Sequence, residues 1–289
     1  MDKQAVTLIG LGPMGQAMGA AFLDRGHALT VWNRSPGKAD GLVARGAVLA
    51  DSVEAALRAN DLVVLSLTDY EATYGVLGPA QDALAGRVVV NLSSDTPDRA
   101  REAAAWIAER GATHLTGGVR VPPSGIGQPG TSTFYSGPRE VFERHKETLE
   151  TLTGADYLGE DPGRAALFYQ LQMTVFWTTM LSWLQAVALA GAHGVTAEEL
   201  VPYVKDTVDI GQFLDFYSAR VDRGEHPGDV ERLTMGVASI EHVVHTARDS
   251  GVDSALPSAV HDIFRRGVAA GRGADSFTSL LEVLRKPAA

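Results

Sequence analysis

The first half of the chain alternates short apolar, β-prone runs with stretches of helical periodicity. AVTLI (5–9), ALTVWNR (28–34), DLVVLSL (61–67), RVVVNLSS (87–94) and THLTGG (113–118) read as strands. A helix ending at Gly26 and helices over 52–59, 70–77 and 97–110 fall between them. Apolar strands that each lead into a helix predict a parallel, doubly wound sheet covered on both faces. The glycine- and proline-rich stretch 117–138 ends in another strand. A helix over 140–152 and the strand ADYLG (155–159) follow, so the first domain is expected to end near Glu160.

The pattern then changes. From Pro162 to His193 one helical pattern runs on, with Gly194 as its stop signal. Such a helix is on the order of 45 Å long at 1.5 Å per residue. It is apolar nearly all round, so it is expected to be buried on most sides, by the remaining helices, another subunit, or both. Those remaining helices are read over 197–205, 207–223, 229–249, 257–270 and 276–285, with no strand pattern and no repeat. The fold class is therefore α/β then all-α. Residues 1–160 form a dinucleotide-binding domain, and 161–289 a helical dimerisation and substrate domain that includes the long helix 162–193. So small a helical domain around so apolar a helix points to an intertwined, domain-swapped homodimer. A monomer with a compact bundle is the alternative.

Composition narrows the partners. The chain has 289 residues, 45 % of them hydrophobic and 21 % charged, which suits an ordinary globular protein. A net charge of −10 argues against nucleic acid, which requires a basic surface. There is no cysteine, hence no disulfide, thiolate nucleophile or zinc–thiolate site, and a reducing cytoplasmic location is the expectation. The N-terminus leads straight into a strand and does not read as a signal peptide. The apolar stretch 165–192 is interrupted by Gln170, Gln172, Gln185 and several hydroxyls and has no flanking basic cluster, so it reads as a buried helix of a soluble protein and not as a membrane span.

Candidate chemistry begins at the first turn. Gly10, Gly12 and Gly15 make a G-x-G-x-x-G after a predicted strand, in a loop that also holds Leu11, Pro13 and Met14. The first glycine allows the tight turn, the second admits a pyrophosphate, and the third lets helix and strand pack closely. The second strand ends in Asn33–Arg34–Ser35, with Lys38 a turn later and no carboxylate, so NADPH is expected rather than NADH. The alternative is that Arg34 and Lys38 are simply solvated charges. The loops after the next strands offer Leu67, Thr68 and Asp69, then Ser93 and Ser94, to the nicotinamide end. Ser93, Ser94 and Asp95 are equally placed to cap the following helix.

Taken together, IGLGPMGQAMG, WNRSPGKA and VVVNLSSDTP, with a Rossmann-type half feeding a long helix, resemble the β-hydroxyacid dehydrogenase superfamily over essentially the whole chain. In those enzymes the helix start carries a lysine, usually followed three residues later by an asparagine. Here the lysine position is Leu167 and the asparagine position is Gln170. The chain is similar to the imine reductases, a branch without that lysine. DPGRAALFYQLQ, VPPSGIGQPGTSTFYSG and LPSAVHDIFRRGVAAGRGADSFTSLLEVLRKP carry the likeness. That resemblance implies NADPH, a small-molecule imine substrate reduced to a chiral amine, and a homodimer whose subunits share the active site. It also implies a catalytic role for Tyr169, six residues after Gly163, where a tyrosine tends to accompany (S)-selectivity.

The chemistry agrees with a missing lysine. Oxidising an alcohol needs a base, whereas reducing an imine needs a protonated nitrogen and a hydride. A buried cation would repel an iminium, and a phenol, neutral near pH 7, can donate to the nitrogen. Gly118, Val119, Pro122, Gln170, Met173, Trp177 and Phe213 are expected to line the substrate pocket. Three alternatives stay open for Tyr169: a proton donor, a group that positions substrate while water supplies the proton, or a core residue. Asp206 and Asp209 either stabilise a cation or are surface charges. Trp183 and Phe216 either wall the pocket or belong to the core. His242 and His245 have the spacing of a metal pair but no accompanying carboxylate pattern, so no metal is expected. Two other functions remain in play: a β-hydroxyacid dehydrogenase with a relocated base, using Arg120 for the substrate carboxylate, and a non-catalytic NADP-binding protein.

Overall fold

The computed structural model describes residues 3–286. The Cα packing divides the chain into two compact units, 1–174 and 175–289.

The first unit is built on an eight-stranded sheet. Its elements are β1 (Val6–Ile9), α1 (Pro13–Asp24), β2 (Leu29–Trp32), α2 (Asp40–Val43), β3 (Val48–Leu49) and α3 (Val53–Ala59). Then come β4 (Leu62–Leu65), α4 (Tyr70–Leu77), β5 (Val88–Asn91), α5 (Pro97–Ala108), β6 (Thr113–Val119), β7 (Ser132–Ser136), α6 (Arg139–Leu149) and β8 (Gly154–Tyr157). The strand order is β3-β2-β1-β4-β5-β6-β7-β8. Every residue of β1, β4 and β5 is buried, as expected of central strands covered on both faces. The order reverses between β1 and β4, which opens the crevice where doubly wound folds take their ligands.

Two features differ from the sequence expectation. The two-residue strand β3 is too short to leave a periodic signal. The sheet is also not parallel throughout: β1 to β6 run together, but β7 is antiparallel to β6 and β8 is parallel to β7. The segment between β6 and β7 has only a 3₁₀ turn at Pro123–Gly125, no crossover helix, so the chain turns back. Between β7 and β8, α6 supplies the crossover that parallel pairing requires.

The long helix α7 (Gly163–Ala192) has 30 residues, and its first twelve pack with the sheet. It was expected to be buried on most sides. In the single chain only Gly163, Ala165 and Ala166 are buried, and Leu171, Val175, Trp177, Leu181 and Leu184 are all more than half exposed. By length and composition it could cross a bilayer. The rest of the second unit is helical: α8 (Ala197–Val208), α9 (Gly211–Asp222), α10 (Leu233–Asp249), α11 (Ala255–Gly267) and α12 (Leu281–Leu284).

The helix ends in this unit also depart from the sequence reading. The expected helix over 229–249 starts only at Leu233. Residues before it are held by side chains: Arg220 pairs with Asp229, and the Glu231 carboxylate accepts from the Tyr217 and Ser276 hydroxyls. The segment expected as one helix over 257–270 passes at Gly267 into a π turn, ended by Gly271 at φ +82°. Near 276–285 the structure has a 3₁₀ turn, Phe277–Leu280, before α12.

Candidate active site

The glycine turn is built as its spacing demands. Gly10 has φ +97°, and a Cβ there would stand 2.3 Å from the Ser66 carbonyl oxygen. A Cβ on Gly15 would stand 2.0 Å from the Gly10 carbonyl oxygen, so Gly15 serves the packing of α1 on the turn. Gly12 behaves differently: nothing lies within 4 Å of a Cβ there. It is the N-cap of α1 and faces open space, with Pro13 in the first helical turn and no acidic residue nearby in the helix. That is the electrostatic arrangement a pyrophosphate requires at a helix N-terminus.

Asn33 ties this turn to the end of β2. Its Oδ1 accepts the Leu11 amide at 3.0 Å, and its Nδ2 donates to the Ser35 carbonyl at 3.0 Å. The two bonds hold Arg34 and Ser35 beside the glycine turn. Gln16 donates to the Lys38 carbonyl, bringing the 3₁₀ turn of Lys38 to the same place. Arg34 and Lys38 are exposed, and neither has an ion-pair partner among the described residues.

Around these groups opens a cavity of about 700 Å³. Gly10, Leu11, Gly12, Pro13, Met14, Asn33, Arg34, Ser35, Lys38, Leu67 and Thr68 line it, together with Ser66. Sequence reading missed its apolar wall, formed by Trp32 at the end of β2, Val53 at the start of α3, Ala72 and Val76 on α4, and Pro79 after α4. Gly15, Ser93 and Ser94 do not line it. Ser93 is buried, and its hydroxyl accepts the Leu67 amide at 3.2 Å, joining two strand ends. Ser94 is exposed. The cap of α5 is Thr96, whose hydroxyl accepts the Arg99 amide. A cavity with an open glycine at its floor and two unpaired cations at one end fits a dinucleotide carrying a 2′-phosphate.

The start of α7 lies against β6. A Cβ on Gly118 would stand 2.9 Å from the Tyr169 Cβ and 3.3 Å from the Ala165 carbonyl oxygen, so the absent side chain is what lets the helix approach. Asp161 caps this end: its Oδ1 accepts the Gly163 amide at 2.9 Å, and both its oxygens bind Arg101. Arg101 holds the Asp161 carboxyl below its ordinary range. Tyr169 is half-buried, and its hydroxyl has no hydrogen-bond partner among the described residues. The neighbouring amides are both engaged. Gln170 Nε2 donates to the Asp95 carbonyl at 3.2 Å, and Gln172 Oε1 accepts from Arg120 Nε at 3.0 Å.

Val119 and Met173 are half-buried, and Pro122 is exposed. In the second unit Trp177 and Phe213 are exposed, Trp177 against Phe176 with ring centroids 5.1 Å apart. Phe216 meets Tyr217 edge-on, and Trp183 is half-buried. Asp206, Asp209, His242 and His245 are exposed. Arg120, the candidate for a substrate carboxylate, is occupied by Gln172, Ser132 and Asp156.

Residues 5–159 match the NAD binding domain of 6-phosphogluconate dehydrogenase, and residues 161–286 match the NADPH-dependent reductive aminase-like C-terminal domain. An imine reductase structure from Streptomyces aurantiacus is 63 % identical, with a TM-score of 0.95, covering 98 % of this chain and 100 % of its own. The chain belongs to the imine reductase family. An imine reductase from Bacillus cereus BAG3X2 is 57 % identical, with a TM-score of 0.91 and coverage of 99 % and 100 %. An NADPH-dependent reductive aminase of Aspergillus oryzae is 29 % identical over 285 residues, 97 % of each chain. Members of the family thus share both halves of the fold, including α7.

Proposed function

We propose that Tyr169 handles the nitrogen side of this family's reaction. The chain is an NADPH-dependent oxidoreductase that reduces an imine or iminium to an amine. The observation that carries the assignment is the start of α7: a phenol with a free hydroxyl sits on Gly118, with Leu167 where hydroxyacid dehydrogenases have a lysine.

Bound in the cavity above the glycine turn, NADPH supplies the hydride. Gly12 and the first amides of α1 hold its pyrophosphate, and Arg34, Ser35 and Lys38 hold its 2′-phosphate. Leu67 and Thr68 are assigned to its other end. Tyr169 donates a hydrogen bond or proton to the imine nitrogen and keeps the protonated form in place. α7 itself carries no charge after Arg164 to repel it, and Arg120, bonded to Gln172, is paired with Asp156. Gly118, Val119, Pro122, Gln170 and Met173 form the pocket wall from this unit.

The exposed apolar face of α7 supports a homodimer in which a second copy covers that face and brings its own Trp177 and Phe213 to the pocket. The family matches to residues 5–159 and 161–286 support a functional division at 160/161, while the first twelve residues of α7 pack with the sheet. Tyrosine at position 169 supports (S)-selective reduction, and the lack of cysteine supports a cytoplasmic location.

The decisive assay mixes purified protein with NADPH and a methylpyrroline and follows loss of the reduced cofactor. NADH and a β-hydroxyacid with NADP serve as controls, and chiral chromatography reads the product. Imine-dependent NADPH loss without acid oxidation is expected. Acid oxidation without imine reduction would overturn the reading.

A further inference from the structure

We propose that Arg120 is a positioning residue for Tyr169, acting through Gln172. The inference rests on Tyr169 facing the imine nitrogen, and it concerns what holds Tyr169 there.

Gly118 lets α7 come close to β6, and the first turn is held by Ser136 at the Ala165 amide and by the packing of Ala166 on Tyr70, Ala100 and Ala103; the turn that carries Tyr169 needs further fixing. Residues advance by about 100° around a helix. Gln170 therefore lies about 100° to one side of Tyr169, and Gln172 about 60° to the other. Each amide is tied to the end of a different strand: Gln170 to the Asp95 carbonyl after β5, and Gln172 to Arg120 after β6. One bond on each flank opposes rotation in both directions. The Tyr169 hydroxyl, between them, has no hydrogen-bond partner among the described residues.

Arg120 is suited to this because it is itself immobilised. Its Nη1 donates to Ser132 Oγ at 2.7 Å and to Asp156 Oδ2 at 3.3 Å, and Ser132 in turn donates to Asp156 at 2.7 Å. Its guanidinium carbon lies 4.5 Å from the centroid of the Phe134 ring, and Phe134 meets Phe168 of α7 edge-on. The fork geometry matters. Nε serves the helix while Nη1 serves β7 and β8, which a lysine cannot do with a single nitrogen. The network thus references the Tyr169 hydroxyl to the two strands that run opposite to the rest of the sheet.

A double-mutant cycle on the full-length protein tests this. Arg120→Met and Gln172→Leu are each expected to lower kcat about tenfold by releasing Tyr169. The NADPH dissociation constant should stay within about twofold, because neither residue lines the cofactor cavity. Gln172→Glu, which still offers Arg120 an oxygen, should keep kcat within about threefold of wild type. In a Tyr169→Phe background, Arg120→Met should cost less than about twofold further. An equal loss in both backgrounds would overturn the proposal, as would wild-type kcat in Gln172→Leu. A wild-type rate in Tyr169→Phe alone would sink the assignment of Tyr169, and this proposal with it. Gln172→Leu leaves the Arg120–Asp156 pair intact, so it reports on the link even if Arg120→Met folds poorly.

Discussion

Gly118 and Tyr169 are in direct backbone-to-side-chain contact, with a hypothetical Cβ of Gly118 only 2.9 Å from the Tyr169 Cβ. Because β6 and the helix backbone are both rigid elements, this contact sets the height of the phenol. Gly118→Ala should cost about 1–3 kcal/mol of stability by overpacking. It should lower kcat by about tenfold or more by displacing Tyr169, and leave NADPH affinity unchanged. Denaturation midpoints, cofactor titration and steady-state rates on the variant check all three. An unchanged kcat would show that Tyr169 need not be where the structure places it.

Cofactor choice should reside in Arg34 and Lys38. A charge-assisted hydrogen bond to phosphate is worth about 1.5–3 kcal/mol. Arg34→Ala should therefore weaken NADPH roughly ten- to a hundredfold and leave NADH binding unaltered. Fluorescence titration with both cofactors gives the comparison. Equal weakening of both would place Arg34 on the shared part of the dinucleotide.

Acid should destabilise the protein through a buried histidine. His114 on β6 is buried, neither ring nitrogen has a hydrogen-bond partner among the described residues, and burial alone pushes its imidazole down to about 4. The unfolded chain has a value near 6.5. Between these values the unfolded state binds a proton that the folded state refuses. The contribution is complete above about pH 6.5 and is lost as pH falls towards 4, by up to about 3 kcal/mol. His145 is pushed in the same direction, by burial and by Arg144. Urea melts at pH 7 and pH 4.5 should show the loss, and His114→Leu should flatten it by about one proton. An unchanged slope in that variant would move the effect elsewhere.

The uncovered face of α7 predicts a second copy. Leu181 and Leu184 are each 52 % exposed in the single chain. Burying a carboxylate among apolar side chains is strongly unfavourable, so a Leu181→Glu, Leu184→Glu variant should lose the dimer. Light scattering at micromolar protein would read twice the chain mass for wild type and a lower mass for the variant. A monomeric wild type would refute the pairing.

Much of this molecule is written locally. The short β-prone runs of β1, β4 and β5 (VTLI, LVVL and VVVN), each leading into a helix, read as central strands, and a glycine triplet after β1 followed by Arg34 and Lys38 brings the cofactor turn with it. These are short-range consequences of side-chain period, backbone permissiveness and charge, so the sequence by itself determined them. Leu167 in place of a lysine is local in the same sense. The two-residue β3 carried too little pattern to be seen, and the reversal of β7 depended on a segment whose return path no periodicity records. Nor could spacing say that Ser93 would be buried against Leu67, that Gly118 would face Tyr169, or that Gln170 and Gln172 would bond to groups just past the ends of two neighbouring strands, β5 and β6. Those pairings join residues from 26 to 75 positions apart. Only the tertiary structure decided them, because a hydrogen bond or a van der Waals contact depends on where the folded backbone brings two groups, and that position is set by all the packing between them.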